Sequence, residues 1–455
     1  MIPVYTRVLT PADYGIIETI VRIVDIISLF LALGLAEALL RHYYIAKDED
    51  DRKRLVGTVF TLNLAVVAVG SLLVLPFSSY LAEMAFGHHR YAHYVAVALI
   101  GMLVGNLIEI PLTLWRAEGK AWRFTTVSLM KLTTQLTTNI VLVVWLRWGV
   151  WGVVLSGLIN AVVWSAVLAV VVRRQYGLCW DLQWIKPVLQ YGLPLVPAAL
   201  SQFVLHFSDR FFLTRYATES ELGLYSLAYR FGMLVSVFFG IISRAWWPWV
   251  FRVAEDENSS ALLRRGSAFI LLAGAVFCAG VILGSSPVIR LVAAPPFWKA
   301  AEFVPLLAMS YWFFISSSAL RIGSLIGNQT MSFAKANLLS AIACLALNAW
   351  LISHYSTWGA VYATFGSFVI FSLSVWISAQ RIHPIAHDTT AFALAIGVML
   401  ISTWLDSHLH LVLWADALVR FVLWVLLSSV IVVYFVHSHQ IRLPLVRVRT
   451  RGREA

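Results

Sequence analysis

Charged residues are scarce in this chain. Asp, Glu, Lys and Arg make up 13% of its 455 residues, whereas soluble globular domains carry about 25%. Hydrophobic residues make up 60%, and the mean hydropathy is +0.80. These values exclude a soluble globular protein and place the chain in a lipid bilayer.

Signatures of catalysis and of metal binding are missing as well. The sequence contains no Gly-rich phosphate loop, no HExxH, no CxxC and no recognisable pairing of a nucleophile with a base. Its cysteines, Cys179, Cys278 and Cys344, stand far apart in or beside apolar runs, which is typical of buried thiols rather than of a disulfide framework or a metal site. We therefore expect neither an enzyme nor a metalloprotein.

The basic residues are scattered rather than clustered. The net charge is +11, but the Lys and Arg residues lie mainly near the ends of apolar segments, where they set membrane topology and contact anionic lipids. We expect anionic membrane lipids as partners and no nucleic acid.

The apolar segments are long enough to be membrane-spanning helices, and too long for barrel strands. Thirteen complete spans are predicted between residues 14 and 436, and a first helix is expected to be incomplete, with its start upstream of Met1. Assigning alternate loops to opposite sides collects 22 Lys and Arg on one side and seven on the other. The positive-inside rule makes the richer side cytoplasmic, together with the basic tail.

One part of the chain repeats another. The segment after Phe207 resembles the N-terminal segment at a constant offset of 208 positions. The matched pairs are Arg7 with Arg215, Thr10 with Thr218, Asp13 with Glu221, Gly15 with Gly223, and Arg22 with Arg230.

The repeat predicts an all-α membrane protein with two six-helix lobes in the same orientation. We predict an N-terminal lobe over 1–172, a cytoplasmic linker over 173–187 and a C-terminal lobe over 188–381. Two extra membrane helices follow over 382–436, and a basic cytoplasmic tail over 437–455.

Both halves begin a helix with the pattern Thr-x-x-acid. This is a capping box, in which the Thr side chain and the carboxylate satisfy free backbone amides at the helix start. Arg22 and Arg230 each follow their cap by twelve residues, about 18 Å along the helix axis and near the middle of a hydrocarbon core about 30 Å thick. Charges at that depth are costly and indicate a wet cavity or a partner.

Three cations are predicted to bind an anionic substrate in a cavity. Arg22 has Glu18 and Asp25 about one turn away on its own helix, so a self-neutralised ion cluster is an equal alternative. Arg230 has no acid at the matching positions of its helix, and it is the better candidate for meeting an anion. Lys131 lies deep within its span.

The helix around Lys131 has a polar face that would be wasteful against lipid. Thr134, Gln135, Thr138 and Asn139 are predicted to line water, although hydrogen bonding between packed helices is the alternative. Three carboxylates are predicted to act in ion coupling, namely Asp25, Glu109 and Asp209. For Glu109 a simple pair with Arg116 is an equal reading, and Asp209 with Arg210 also fits a structural pair.

The chain resembles the Wzx-type polysaccharide and oligosaccharide flippases of the MOP exporter superfamily. The resemblance rests on DRFFLTRYATESELGLYSLAYRF, YTRVLTPADYG, LWRAEGKAWRF and NAWLISHYSTWGAVYAT. It implies two lobes facing each other in a V about a central cavity. It also implies that an undecaprenyl-diphosphate-type lipid-linked sugar moves from the inner to the outer leaflet of the cytoplasmic membrane, with other glycan-assembly proteins as partners.

Residues and resemblance together predict a flippase that works by alternating access. Unneutralised cations in a wet vestibule would hold the lipid diphosphate, and a Na⁺ or H⁺ gradient would bias the cycle, with no other cofactor. A cation-coupled drug or metabolite antiporter of the same superfamily is the alternative. A membrane-bound polymerase or ligase would carry a large extracytoplasmic loop, which the short connections exclude.

Overall fold

The structure is a computed structural model that describes residues 2–254, 259–327, 330–409 and 412–438. Within these ranges all regular structure is helical, and no strand occurs. The chain after Ser438, which holds nearly all of the predicted basic tail, lies outside the described residues.

Most of the described chain belongs to α-helices. In chain order, α1 to α21 are Ile2–Val8, Pro11–Ala32, Leu35–Tyr43, Glu49–Val74, Ser78–Phe86, Ala92–Gly105, Glu109–Ala117, Ala121–Asn139, Gly149–Tyr176, Leu182–Gly192, Leu195–Phe207, Asp209–Tyr216, Glu219–Gly232, Leu234–Val253, Ser259–Val292, Val304–Leu320, Ile322–Ile326, Thr330–Leu347, Ser353–Ile382, Thr389–His408 and Leu413–Ser438. Short 3₁₀ segments are Leu75–Phe77, His89–Tyr91, Asn106–Ile108 and Pro295–Phe303, and π-helical segments are Ile140–Trp145 and Asn348–Ile352.

Within the described residues, 12 helical runs are long and apolar enough to cross a membrane. Thirteen spans were predicted, and the difference lies in one run of 50 residues, Phe333–Ile382. That run breaks at Ser356, whose φ of 49° is in the left-handed region. Because about 20 residues suffice to span a bilayer, this run accommodates both spans predicted there. The polytopic all-α fold is confirmed.

The chain divides into two compact units. The first comprises the chain up to Arg230 together with Ile289–Phe303 and Ala334–Phe371. The second comprises Phe231–Val288, Val304–Phe333 and the chain from Ser372 onward. The division into repeat-defined lobes stays a prediction.

Both predicted capping boxes are present in the first unit. The Asp13 backbone N–H donates to the Thr10 hydroxyl at 3.1 Å, and the Thr10 N–H donates to the Asp13 carboxylate at 3.0 Å. At the matched start of α13, Glu221 N–H donates to the Thr218 hydroxyl at 3.2 Å, and Thr218 N–H donates to Glu221 at 2.9 Å. The repeat therefore fixes where α2 and α13 begin.

The helices α2 and α13 cross at a matched pair of glycines. A Cβ built on Gly15 would lie 2.0 Å from the carbonyl oxygen of Glu219, and one on Gly223 would lie 1.9 Å from that of Pro11. The offset of 208 relates Pro11 to Glu219 as well as the two glycines, so the contact is reciprocal. Small residues permit such close backbone approach in membranes. The crossing brings the equivalent faces of the two helices together.

Other local features recur at matched positions. Each π-helical segment adjoins or begins at a buried asparagine of the repeat, Asn139 or Asn348. A non-glycine residue with positive φ follows each segment, Arg147 at 54° and Ser356 at 49°. The two stretches of sequence thus adopt the same local backbone conformations despite divergent side chains.

The glycine crossing generates a stability prediction. Gly223→Ala places a methyl group against the Pro11 backbone, and overpacking of this kind costs about 1–3 kcal/mol. Gly157→Ala is the matched control, because a Cβ there has no atom within 4 Å and alanine is the better helix former. Thermal unfolding in detergent should show a lowered midpoint for Gly223→Ala alone, and equal midpoints would contradict the tight crossing.

Candidate functional site

Four charged side chains form one ion cluster in the first unit, composed of Glu18, Arg22, Asp25 and Arg230. Arg22 lies 3.3 Å from Glu18 and 2.7 Å from Asp25, each distance joining a guanidinium nitrogen to a carboxylate oxygen. The ion pairs that the self-neutralised interpretation of Arg22 requires are therefore present on its own helix, while its part in substrate binding stays a prediction. The Arg22 guanidinium also lies over the ring of Phe207, 4.3 Å from the ring centroid.

Arg230 joins the same cluster from the matched helix. Its guanidinium donates to the second oxygen of Glu18 and lies 5.1 Å from the centroid of the Tyr14 ring. The expectation that Arg230 is unneutralised is wrong, because the glycine crossing of α2 and α13 brings Glu18 to it. The Glu18 side chain is 3% exposed, but the Arg230 side chain is 41% exposed. Arg230 thus presents an accessible face while one terminal nitrogen is occupied.

The formal charges of the cluster sum to zero. Two guanidinium groups face two carboxylates, and the four side chains come from only two helices. A vestibule lined by free positive charge, as predicted for Arg22 and Arg230, is absent from this cluster. Anion binding here requires that an incoming anion exchange with a carboxylate already present.

A second group of charges is sealed close to the cluster. Asp209 and Arg210 are 3% and 2% exposed, and their side chains pair at 2.8 Å. The Tyr225 hydroxyl donates to Asp209, and the Arg210 guanidinium lies 3.8 Å from the centroid of the Tyr229 ring. Both carboxylate oxygens of Asp209 are engaged, so its role in ion coupling stays a prediction that requires the pair to open.

Lys131 lies apart from the ion cluster. It lines a cavity of about 440 Å³ together with Ser128, Leu132, Gln135 and Asn160. Among the described residues, no carboxylate lies within 4.0 Å of its ammonium group. Lys131 is thus the predicted site cation that keeps an accessible, unpaired charge, while its part in substrate binding stays a prediction.

The polar face around Lys131 divides into two parts. Gln135 donates to the Ser156 hydroxyl at 3.1 Å, and that hydroxyl lies 2.6 Å from the Asn139 side-chain oxygen. These two residues therefore make the interhelical hydrogen bonds that were the alternative to lining water, although Gln135 also borders the cavity. Thr134 and Thr138 donate to backbone carbonyls of their own helix, at 2.8 Å each.

The carboxylate of Glu109 pairs with Arg116 at 3.3 Å. Both side chains are about half exposed, at 58% and 48%. The simple-pair reading of Glu109 is thus observed, and a coupling role stays a prediction. Asp25 is bound by Arg22, and its side chain is 42% exposed.

In the second unit, the charge of the buried Arg420 is balanced by carboxylates of the same unit. Arg420 in α21 is 2% exposed and pairs with Asp416 at 2.9 Å. It also pairs with Asp406 at the end of α20, and it donates to the Leu409 carbonyl at 2.8 Å. All three charged groups belong to the last two helices.

Metal-binding geometry is not found in the part of the chain that the structure describes. There, no three His, Cys, Asp or Glu side chains gather closely enough to hold an ion. Cys278 and Cys344 are buried free thiols, and Cys179 is partly buried. The side-chain amide of Asn348 donates to the Cys344 sulfur at 3.4 Å, so this thiol takes part in a buried polar contact.

The most informative residue absent from the predicted site is Glu18. The sequence treats it only as a neighbour of Arg22, whereas in the structure it bridges two matched helices. The signal lay in the repeat, because Gly15 and Gly223 predict close packing of their helices and Glu18 lies one turn beyond Gly15. Ser226 stands at the position that matches Glu18, so a single acid serves both arginines.

Comparison with known sequences identifies relatives over most of the chain. Residues 4–302 match the family described as polysaccharide biosynthesis protein. The succinoglycan biosynthesis transport protein ExoT of Rhizobium meliloti (strain 1021) is 22% identical over 238 residues, which are 51% of this chain and 46% of that protein. The match thus spans about half the length of this curated relative.

Solved structures share the fold. The lipid II flippase MurJ in an inward closed conformation has a TM-score of 0.77 at 12% identity, covering 96% of both chains. A multidrug resistance MATE family transporter of the MOP superfamily, in an inward-facing conformation, has a TM-score of 0.61 at 17% identity, covering 88% of this chain and 94% of that one. At such identities the likeness establishes the fold. With the 12 apolar helical runs, it identifies an integral membrane protein that crosses the bilayer many times.

The Asp209–Arg210 and Asp25–Arg22 ion pairs differ in burial, and we therefore expect them to contribute differently to the free energy of unfolding. Asp209→Asn leaves Arg210 buried without a counter-charge, and breaking a buried pair costs about 3–5 kcal/mol. Asp25→Asn removes a half-exposed partner, and exposed pairs contribute about 0–1 kcal/mol. The thermal unfolding midpoint in detergent should fall clearly for Asp209→Asn and little for Asp25→Asn. A reversed order would show that the Asp209 pair is not structural.

Proposed function

The chain belongs to the polysaccharide biosynthesis protein family, and on that premise we propose that it flips lipid-linked oligosaccharide or polysaccharide precursors. The precursors would move from the inner to the outer leaflet of the cytoplasmic membrane for surface polysaccharide assembly. The family, the fold shared with the lipid II flippase and the transport role named for ExoT support this assignment. We assign transport rather than catalysis to the chain.

The observation that carries the proposal is the meeting of Arg22 and Arg230 on one carboxylate near mid-span. A lipid diphosphate concentrates negative charge in a head group that cannot cross lipid unaided. Guanidinium groups bind phosphate oxygens in a bidentate fashion. Arg230, with its exposed face, is the residue that would engage the diphosphate first, and Lys131, which lies apart from the ion cluster, would contact a different polar part of the substrate.

The apolar carrier chain requires a different surface. In the first unit a cavity of about 360 Å³ is lined by apolar side chains that include Ile23, Ile27 and Phe211. Ile23 and Ile27 belong to α2, the helix that carries Arg22. A polar head group at the ion cluster and an apolar chain along the same helix match the two-part chemistry of a lipid-linked sugar.

A cation-coupled drug or metabolite antiporter is the second candidate, because the MATE transporter shares the fold. A cationic substrate needs a carboxylate that is free to receive it. In this structure Glu18, Asp25, Glu109 and Asp209 are each bound by an arginine. Lys131, by contrast, lines a cavity and has no carboxylate within 4.0 Å among the described residues, and this unpaired cation favours the anionic lipid substrate over the cationic one.

We expect Arg230→Gln to reduce flipping of lipid-linked oligosaccharide at least about tenfold, since one hydrogen bond to a charged group contributes about 1.5–3 kcal/mol. The measurement is a leaflet-orientation assay in proteoliposomes that contain the purified full chain. Arg173→Ala is the control, because it removes an exposed arginine at the end of α9.

Equal flipping by Arg230→Gln and by the native chain, with both proteins folded, would remove Arg230 from the mechanism. Failure of the native chain to reorient any lipid-linked oligosaccharide would contradict the proposed function itself. Reorientation that is coupled to uptake of an organic cation would favour the antiporter.

A further inference from the structure

Glu18 binds the guanidinium groups of Arg22 and Arg230 in the way that an external anion would. One of its oxygens accepts from Arg22 at 3.3 Å, and the other accepts from Arg230. The carboxylate is buried, whereas Arg230 is 41% exposed. The two arginines are related by the repeat but share one acid, because Ser226 stands where a second glutamate would be. The arrangement is that of two donors closed upon an internal ligand.

A phosphoryl group competes directly for these donors. Like a carboxylate it offers oxygens spaced to accept from guanidinium groups, and it carries more negative charge. An incoming diphosphate can therefore replace Glu18 at Arg230 first, where the guanidinium is accessible. Release of Arg22 follows, because that guanidinium is tied to the same carboxylate.

We propose that Glu18 is the internal ligand of the anion site, that the substrate diphosphate displaces it from Arg230 and Arg22, and that it then takes up a proton. This inference rests on the proposed function, and the ion that the site takes up is H⁺. In the reverse step, release of the diphosphate returns the arginines to Glu18, which loses the proton to water.

The proton follows from the surroundings of Glu18. On its own helix it faces Tyr14, Arg22 and Asp25. From the other helices packed against it come Arg230 of α13 and Arg210 of α12, and Tyr5 of α1 lies near Arg230. Once the diphosphate holds Arg22 and Arg230, only Arg210 is left, and that guanidinium is bound by Asp209. A buried carboxylate without a counter-charge is neutralised by protonation.

The balance of the step is simple. One proton passes from the aqueous phase to the Glu18 carboxylate as the phosphate oxygens take over the guanidinium donors. No other bond is made or broken. Binding of the diphosphate therefore consumes one proton, and its release returns one.

The test is isothermal titration of the purified full chain with farnesyl diphosphate in detergent. The titrations are run near pH 8, which is about two pH units above the second phosphate ionisation. Two buffers of different ionisation enthalpy are used, and the difference between the measured binding heats gives the number of protons taken up. We expect about one proton per diphosphate for the native chain. Glu18→Gln should take up none and bind about tenfold more tightly, because the competing charge is gone. Glu83→Gln is the control and should behave as the native chain does.

Each outcome decides something. Unchanged proton uptake in a folded Glu18→Gln, or binding that is weaker than that of the native chain, overturns the role of Glu18. Loss of uptake in Asp25→Asn but not in Glu18→Gln assigns the proton to the other acid. If Glu18→Gln does not fold, zero uptake by the native chain still overturns the proposal.

The proposed function is separable from this inference. A native chain that flips lipid-linked oligosaccharide and binds the diphosphate without proton uptake refutes only the displacement of Glu18. A native chain that neither binds the diphosphate nor flips the lipid refutes both.

Discussion

The close approach of α2 and α13 is the constraint on which the charged site depends. Any side chain larger than hydrogen at Gly15 or Gly223 would collide with the backbone of the opposite helix. Because the contact is reciprocal, the residues that follow each glycine along its helix also come together. Arg22 and Arg230 thereby reach the Glu18 carboxylate from two helices. The geometry of the ion cluster therefore depends on the absence of a side chain at Gly15 and Gly223.

Pairing with carboxylates explains how charge is tolerated at membrane depth. Ionisable groups in a bilayer are costly unless they face water or a partner, and here Arg22, Arg210, Arg230 and Arg420 each have a carboxylate partner. The first unit nevertheless keeps two different environments. Arg210 is enclosed by Tyr225 and Tyr229, whereas Arg230 retains an exposed face. Enclosure suits a structural pair, and partial exposure suits exchange of partners.

Features that depend on neighbouring residues in the sequence could be predicted. The two capping boxes and the pairing of Arg22 with Glu18 and Asp25 all lie within one or two helical turns, where spacing determines contact. The partner of Arg230 could not be predicted in the same way, because Glu18 lies on another helix. The same limit applies to Gln135 and Asn139, whose partner Ser156 belongs to α9. Composition alone could not show the turn at Ser356, since serine seldom adopts that backbone conformation.

The buried arginine of the second unit bears on how the protein is made. Arg420, Asp406 and Asp416 all belong to the hairpin of α20 and α21, so no earlier helix is needed to supply their charge compensation. If α21 inserted alone, Arg420 would enter the hydrocarbon core with only Asp416, one turn away on the same helix, as its partner. If α20 and α21 insert together, as a single step during biosynthesis, Asp406 and the Leu409 carbonyl bind Arg420 before its guanidinium contacts lipid.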